Sequence, residues 1–244
     1  MSVTGDEAPL LSVLIPVFNE ELTIAELIDR VDAVAIDKEI IVVDDGSTDR
    51  TAEILHTKSA RLRRIHESRV NLGKGLAIRI GLTYARGSVV VIQDADLELD
   101  PEEYHLLVGP ILRHETNVVF GSRFKRPHGQ RTPLRYAIVN RLLTSVANVL
   151  YRTALTDCLT AYKVCRTEVL RSLLLTSRGF EIEAELTAKL ARTGERIVEV
   201  PISYLPRPAA QKKIRWQDAF VIAATLVRYR FSSDRSPTAN RIRQ

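Results

Sequence analysis

The chain has 244 residues, 45% of them hydrophobic and 27% charged, a globular balance that allows one large α/β domain or two small ones. Its net charge is +5, with acids frequent in the first hundred residues and Lys and Arg gathered in 123–141, 207–215 and 228–243. That pattern suits a phosphate-bearing partner, an anionic membrane surface or a nucleic acid. Two cysteines, Cys158 and Cys165, argue against a disulfide framework and a zinc site, and the absence of a nucleic-acid module argues against that last partner. Met1 to Pro9 lacks a signal pattern, and no apolar stretch reaches the roughly 20 residues of a bilayer span. The expectation is a soluble or peripheral cytoplasmic protein.

Leu11 to Pro16 predicts a buried strand and Glu20 to Val34 an amphipathic helix. Glu39 to Val43 predicts a second strand, running into Asp44-Asp45-Gly46-Ser47-Thr48-Asp49, where Ser47 or Thr48 can cap a helix to about residue 58. A short strand near Arg64-Ile65-His66 leads through Asn71-Leu72-Gly73-Lys74-Gly75 to a helix ending about Arg86. Val89 to Gln93 is the next strand, Pro101 starts a helix, and Asn117 to Gly121 is a further strand. After Ser122 the alternation weakens. Arg126 to Thr132 reads as a basic loop, Leu134 to Tyr151 and Phe180 to Thr193 as helices, Ile197 to Tyr204 as a strand, and Trp216 to Phe231 as a terminal amphipathic helix. In the 134–151 helix, Ile138, Leu142, Val146, Val149 and Leu150 form an apolar face that either docks on the sheet or meets lipid. Residues 232–244 read as a disordered tail.

Strands alternating with helices predict a Rossmann-like, mainly parallel sheet flanked by helices, with ligands beyond the carboxyl ends of its strands. Asn19, Asp44, Asp45, Asp94 and Asp96 all fall there. Asp94-Ala95-Asp96 follows the apolar run Val89-Val90-Val91-Ile92, so its carboxylates at i and i+2 of an extended segment point the same way. Two converging carboxylates suit Mg²⁺ or Mn²⁺, ions that hold substrate phosphates; the other reading is a solvated turn.

Taken in order, Ile15-Pro16-Val17-Phe18-Asn19-Glu20, Val42-Val43-Asp44-Asp45-Gly46-Ser47-Thr48-Asp49, Asn71-Leu72-Gly73-Lys74-Gly75 and Asp94-Ala95-Asp96-Leu97-Glu98 resemble the family-2 glycosyltransferases of the GT-A fold. So do Gly121-Ser122-Arg123-Phe124, Thr156-Asp157 through Lys163, and Gly179-Phe180-Glu181. The nearest group contains dolichyl-phosphate mannose synthase and bacterial polyprenyl-phosphate glycosyltransferases. The resemblance implies a single GT-A catalytic domain over 1–231, with a nucleotide-sugar half at 10–122 and an acceptor half at 123–231 that carries amphipathic helices. It implies an inverting, metal-dependent transfer of a hexose from GDP-mannose or a UDP-hexose to a polyprenyl phosphate at the cytosolic membrane face. A hydroxyl acceptor, or nucleotide-sugar binding without turnover, are the alternatives.

The implied donor site is Pro16, Phe18, Asn19, Glu20, Asp44, Asp45, Lys74, Asp94 and Ala95, and the implied metal ligands are Asp94, Asp96 and Glu98. Asp44 would accept from the base or ribose, while Asp45 either orients the turn or joins the nucleotide site. Asp96, Arg123 and Asp157 are the catalytic candidates, and Arg123, Arg131 and Arg135 the acceptor-phosphate candidates, since guanidinium forks match phosphate oxygens. A phosphate monoester is already an oxyanion near neutral pH, so it needs no general base. For a hydroxyl acceptor the base would be Asp157 or one of Glu181, Glu183 and Glu185, whose spacing otherwise predicts a solvated helix face. With no membrane span, lipid contact would come from the 134–151 helix, the basic 207–215 loop, the 216–231 helix, a membrane-protein partner or a homo-oligomer.

Overall fold

In the computed structural model, which describes residues 8–126, 132–207 and 218–232, seven strands among those residues form one sheet in the order β3-β2-β1-β4-β6-β5-β7. The first half is parallel. β1 (Leu11–Val17) lies between β2 (Lys38–Asp44) and β4 (Val89–Ile92), and β3 (Arg64–Glu67) flanks β2. Helices α1 (Ile24–Ala33), α2 (Thr51–Thr57) and α3 (Lys74–Tyr84) make the crossovers. β1 and β4 read as nearly continuous aliphatic runs because both of their faces are covered. Leu11, Val13, Ile15 and Val17 enter one core layer with α1, while Leu14 enters the other with α3. Each such buried side chain stabilises the layer by about 1.5–3 kcal/mol.

The second half reverses one strand. β5 (Val118–Ser122) and β7 (Ile197–Pro201) are parallel, whereas β6 (Lys163–Arg166) runs antiparallel between β4 and β5. α4 (Tyr104–Leu112) covers the α1 face. α5 (Leu134–Tyr151), α6 (Thr167–Ser172), α7 (Ile182–Thr193) and α8 (Asp218–Phe231) cover the α3 face. Strand order reverses at β1, so the crevice outside the carboxyl ends of β1 and β4 is the topological switch point.

Several expectations need correction. β4 stops at Ile92, so Asp94 and Asp96 sit in a turn rather than on a pleat, with Leu97 left-handed at φ 58°. β7 stops at Pro201, because residues 202–207 turn to bond Glu98 and Glu103 instead of continuing the ladder. β6 and α6 were not foreseen. Pro101 opens a 3₁₀ turn, capped by Asp100 accepting from Glu102 N at 3.2 Å, and α4 begins at Tyr104. In α5 the buried positions are Asn140, Leu143, Thr144 and Ala147, and the apolar face is split: Val146 and Leu150 pack against the core while Ile138, Leu142 and Val149 point outward. The helix is locked in that rotation by Asn148, which accepts from Leu155 N at 2.9 Å and donates to Leu155 O at 2.9 Å. Arg131, the 208–217 segment with Trp216, and residues 233–244 lie outside the described residues.

Candidate active site

A cleft of about 610 Å³ opens at the switch point, within the range of small-molecule sites. Pro16, Phe18 and Glu20 reach it from the end of β1, Asp45 from the end of β2, and Asp94, Ala95, Asp96 and Glu98 from the turn after β4. Arg123 enters from the end of β5, Lys74 from the start of α3, and Phe180 and Glu183 from the start of α7. Tyr204 and Arg207 close the rim.

The turn that carries the two aspartates is held from below by a buried glutamine. Gln93 Oε1 accepts from Tyr104 Oη at 2.8 Å and Tyr162 Oη at 2.6 Å, and its Nε2 donates to Asp94 O at 3.0 Å. Both phenols are held well above their ordinary pKa by burial, so they remain hydrogen-bond donors. Thr23 Oγ1 donates to Ala95 O at 2.7 Å and ties the same turn to the first residues before α1.

Two of the expected donor residues turn away from the cleft. Asp44 closes its own turn, with Oδ1 accepting from Ser47 N at 3.0 Å and from Ser47 Oγ at 2.5 Å. Asn19, left-handed at φ 50°, accepts from Thr48 N at 2.7 Å and so clasps the β1 and β2 loops together. Asp45 is the member of that pair which faces the cleft; it accepts from Leu72 N at 2.8 Å and Gly73 N at 2.7 Å. Burial pushes its carboxyl up, although those two amides oppose the shift.

Charges in the cleft alternate. Lys74 Nζ sits 2.6 Å from Asp94 and 2.8 Å from Glu183, and Glu183 is also paired with the buried Lys163 at 2.5 Å. Burial alone would raise the Glu183 carboxyl, but Lys163 and Lys74 bring it down to about 2. Arg207 Nη1 donates to Glu20 Oε1 at 2.9 Å, and its Nη2 lies 3.0 Å from Asp96 Oδ2. Even so, Asp96 is pushed up to about 7, first by burial and then by Asp94 and Glu98. The cleft therefore holds more carboxylate charge than its cations offset.

That surplus, on an all-oxygen donor pair, fits a hard divalent cation whose remaining positions are filled by water or phosphate. Asp94 and Asp96 would hold it. Glu98, expected as the third ligand, is engaged elsewhere: Oε1 accepts from Arg207 N at 3.0 Å and Oε2 from Tyr204 Oη at 3.1 Å. Among the described residues no group of three His, Cys, Asp or Glu side chains is arranged to hold a metal ion.

Arg123 is fixed before any ligand arrives. Its Nε and Nη2 donate to the two oxygens of Asp157 at 2.7 and 2.8 Å, and its guanidinium lies 5.3 Å from the Tyr204 ring centroid. Asp157 is fully buried beneath it and does not line the cleft, which makes it a positioning residue. Burial would lower the Arg123 pKa; Asp157 more than restores it, so the side chain stays cationic. Arg135 is exposed at the start of α5, stacked on Tyr136 at 4.8 Å, and is not brought to the cleft.

The glutamates of α7 are not a solvated face. Glu185 is fully buried, paired with Lys189 at 2.6 Å, and accepts from Thr176 N and Ser177 N at 2.8 and 2.7 Å. Glu181 accepts from Arg178 N and Gly179 N at 3.1 and 3.0 Å. The loop they shape packs on the Asn71–Gly75 motif. A Cβ on Gly73, already at φ +97°, would meet Arg178 O at 2.4 Å, and one on Gly75 would meet Ser177 O at 2.6 Å. Phe180 belongs to a motif that the sequence singled out without a role, and Glu183, a candidate base there, is instead ion-paired with Lys74 and Lys163; Arg207 and Tyr204 were not foreseen as cleft residues. Of those two, only Arg207, in a basic stretch, carried a local signal.

Comparison with known proteins places the chain in a family and a fold. Residues 12–174 match the family model described as Glycosyl transferase family 2. The chain is 32% identical to a low-salt glycan biosynthesis hexosyltransferase of Haloferax volcanii, covering 85% of this chain and 50% of that protein. It is 30% identical to a dolichol-phosphate mannosyltransferase of Pyrococcus furiosus, covering 86% and 60%. It is 28% identical to an undecaprenyl-phosphate mannosyltransferase of Micrococcus luteus, covering 82% and 86%. The chain thus spans half to three fifths of the first two relatives. Glucosyl-3-phosphoglycerate synthase from Mycobacterium tuberculosis, solved with Mn²⁺, uridine diphosphate and phosphoglyceric acid, superposes with a TM-score of 0.71 at 24% identity, covering 93% of this chain and 80% of that one. The architecture is the α/β GT-A fold.

Proposed function

Because the chain belongs to glycosyl transferase family 2, we propose that it moves a hexose from a nucleoside-diphosphate donor to a polyprenyl phosphate, at the cytosolic face of a membrane. The observation that carries this reading is Arg123, locked by Asp157 into the same cleft as Asp94 and Asp96. A pre-oriented guanidinium at the cleft wall recognises a phosphate oxyanion and has little to offer a neutral hydroxyl. The relatives named for dolichol phosphate and undecaprenyl phosphate support the same acceptor class.

In this reading Phe18, Glu20 and Asp45 line the pocket for the nucleotide and ribose. A divalent cation held by Asp94 and Asp96, Mg²⁺ or Mn²⁺, would offset charge on the leaving diphosphate. Lys74 holds Asp94 in place across 2.6 Å. Arg123 positions the acceptor phosphate, whose oxygen attacks the anomeric carbon from the face opposite the leaving group and inverts it. The attacking oxygen is anionic at neutral pH, so positioning and electrostatics suffice. No histidine among the described residues lines the cleft.

The test is a donor screen with metal against polyprenyl phosphate and the matching polyprenol. The expected result is transfer to the phosphate only, with Arg123→Ala weakening the acceptor far more than the donor. Equal transfer to the phosphate-free alcohol would replace the phosphate acceptor with a hydroxyl one, and donor binding with no transfer to either would indicate a non-catalytic binder.

A further inference from the structure

The stretch between α5 and β6 has no helix or ladder around residues 153–157 to take up its main chain, and side chains do so instead. Leu155 N donates to Asn148 Oδ1 at 2.9 Å and Cys158 N to Thr144 Oγ1 at 3.2 Å, both acceptors from α5. The two amides between them, Thr156 N and Asp157 N, both donate to Glu199 Oε1 of β7, at 2.8 and 3.1 Å. Amides in and beside a core must find such partners. A carboxylate makes the stronger kind of acceptor, so Glu199 is the firmest of the three anchors.

Glu199 stands where strand alternation calls for an apolar side chain. Its neighbours Val198 and Val200 pack on the α1 face of the sheet and Ile197 on the α3 face, so Glu199 turns to the α3 face as well. Its side chain is only 3% exposed. A carboxylate in that position is costly unless hydrogen bonds offset the lost water. The two amides do so at Oε1, and Thr156 Oγ1 donates to Oε2 at 2.9 Å, with Lys125 Nζ 3.5 Å from the same oxygen. Glu199 does not line the cleft. Its acceptors are used on the placement of residues 156 and 157.

What that grip places is Asp157. Glu199 lies beside Phe120 of β5 in register, just before the strand end that carries Arg123. Asp157 presents both oxygens to the Arg123 side chain, and its Oδ2 also accepts from Arg123 N at 3.2 Å. Ser122 Oγ lies 2.6 Å from Thr156 Oγ1 and accepts from Phe124 N at 3.3 Å. The end of β5 is thus bound to residues 156 and 157, and these to the middle of the edge strand β7.

We propose that Glu199 is a positioning residue for Arg123. From β7 it fixes the main chain of Thr156 and Asp157, and through the Asp157 carboxylate it sets the direction of the guanidinium at the cleft wall. Reach matters more than charge here, because one oxygen must meet two successive amides. The link from Glu199 to Arg123 stands on these contacts; its effect on the acceptor rests on the polyprenyl-phosphate reading.

Two substitutions in the full chain separate reach from charge. Glu199→Asp keeps the charge but is a methylene too short to hold both amides. Glu199→Gln loses the charge but keeps Oε1 for both amides, with Nε2 donating to Thr156 Oγ1. The first readout is solvent exchange of the Arg123 Nε–H by ¹⁵N NMR with no substrate present, the signal being assigned by its loss in Arg123→Lys. Exchange should be about tenfold faster in Glu199→Asp and within about threefold of the unaltered chain in Glu199→Gln. Equal rates in all three proteins, or a change in Glu199→Gln as large as that in Glu199→Asp, would overturn the proposal. The second readout is kinetic. Glu199→Asp should raise the KM for polyprenyl phosphate about tenfold at unchanged donor affinity, and Glu199→Gln should restore it. Glu199→Asp/Asp157→Asn should lie within about threefold of Asp157→Asn alone, since both act on the same guanidinium. A fall in kcat with that KM unmoved, or full additivity of the two changes, would reduce Glu199 to a structural residue and overturn the proposal. Loss of donor affinity in both Glu199→Asp and Asp157→Asn would place Arg123 on the diphosphate; the link would stand and the acceptor reading would fall.

Discussion

Replacing Glu183 by Gln removes the negative charge that lies between two ammonium groups, the buried Lys163 and the largely covered Lys74. Lys163 and Glu183 are both buried, and the Lys74 side chain is 12% exposed. The carboxyl falls from 4.5 to about 2 in the fold, because Lys163 and Lys74 outweigh the cost of burial. At 1.36 kcal/mol per factor of ten, that drop corresponds to about 3 kcal/mol, at the lower edge of the 3–5 kcal/mol expected when one member of a buried pair is removed. Glu183→Gln should therefore lose about 3 kcal/mol in urea unfolding at pH 7. The sign follows from the direction of the shift: a depressed carboxylate stabilises above its unfolded pKa, and that contribution fades as pH falls from about 5 towards 2. The gap between the two proteins should close over that window. An unchanged urea midpoint at pH 7, or a gap that stays constant down to pH 3, would refute the alternating-charge reasoning.

Asp96→Asn should abolish metal-dependent turnover and weaken Mn²⁺ binding in calorimetry at least tenfold while leaving the thermal midpoint within a few degrees; full activity in chelator would exclude the carboxylate pair as the metal site. Asp157→Asn leaves Arg123 buried without its counter-charge and should cut kcat/KM for the lipid phosphate ten- to a hundredfold. Its donor affinity should be unchanged, and a loss of donor affinity instead would place Arg123 on the diphosphate. Gly73→Ala demands a left-handed alanine and a clash with Arg178 O, so a loss of about 2 kcal/mol or more is expected by denaturant titration, and none if the loop before α7 simply moves aside.

The strands of the first half were legible because parallel strands covered on both faces are aliphatic throughout, and Leu11–Val17 and Val89–Ile92 fit nothing else. The cleft was legible because motifs at successive strand ends must meet. β6 was not, since Lys163 at its head looks like a surface residue until Glu183, twenty positions away, neutralises it. Arg207 and Glu20 are 187 positions apart, and no local period reports such a pair. The same holds for Asp44 and Asp45: two adjacent acids are interchangeable in a string, and only the turn at Ser47 decides which one faces the cleft. α5 stayed ambiguous because its apolar side chains are split between core and surface.

The backward run of β6 reaches beyond topology. In a parallel strand the segment that follows it reaches the ligand rim; in β6 the segment that precedes it does, so residues 156–161 deliver Leu159 and Ala161 to the same cleft as Asp94, with Asp157 buried beneath Arg123. The two walls of the cleft are therefore built by separate stretches of chain that share no turn. Lengthening or exchanging the stretch before β6 would reshape the Leu159–Ala161 wall while β1 and β4 keep their register. That wall is thus the part of this scaffold most open to grafting, and the Asp94 turn, tied to β1 and β4, the part most resistant to it.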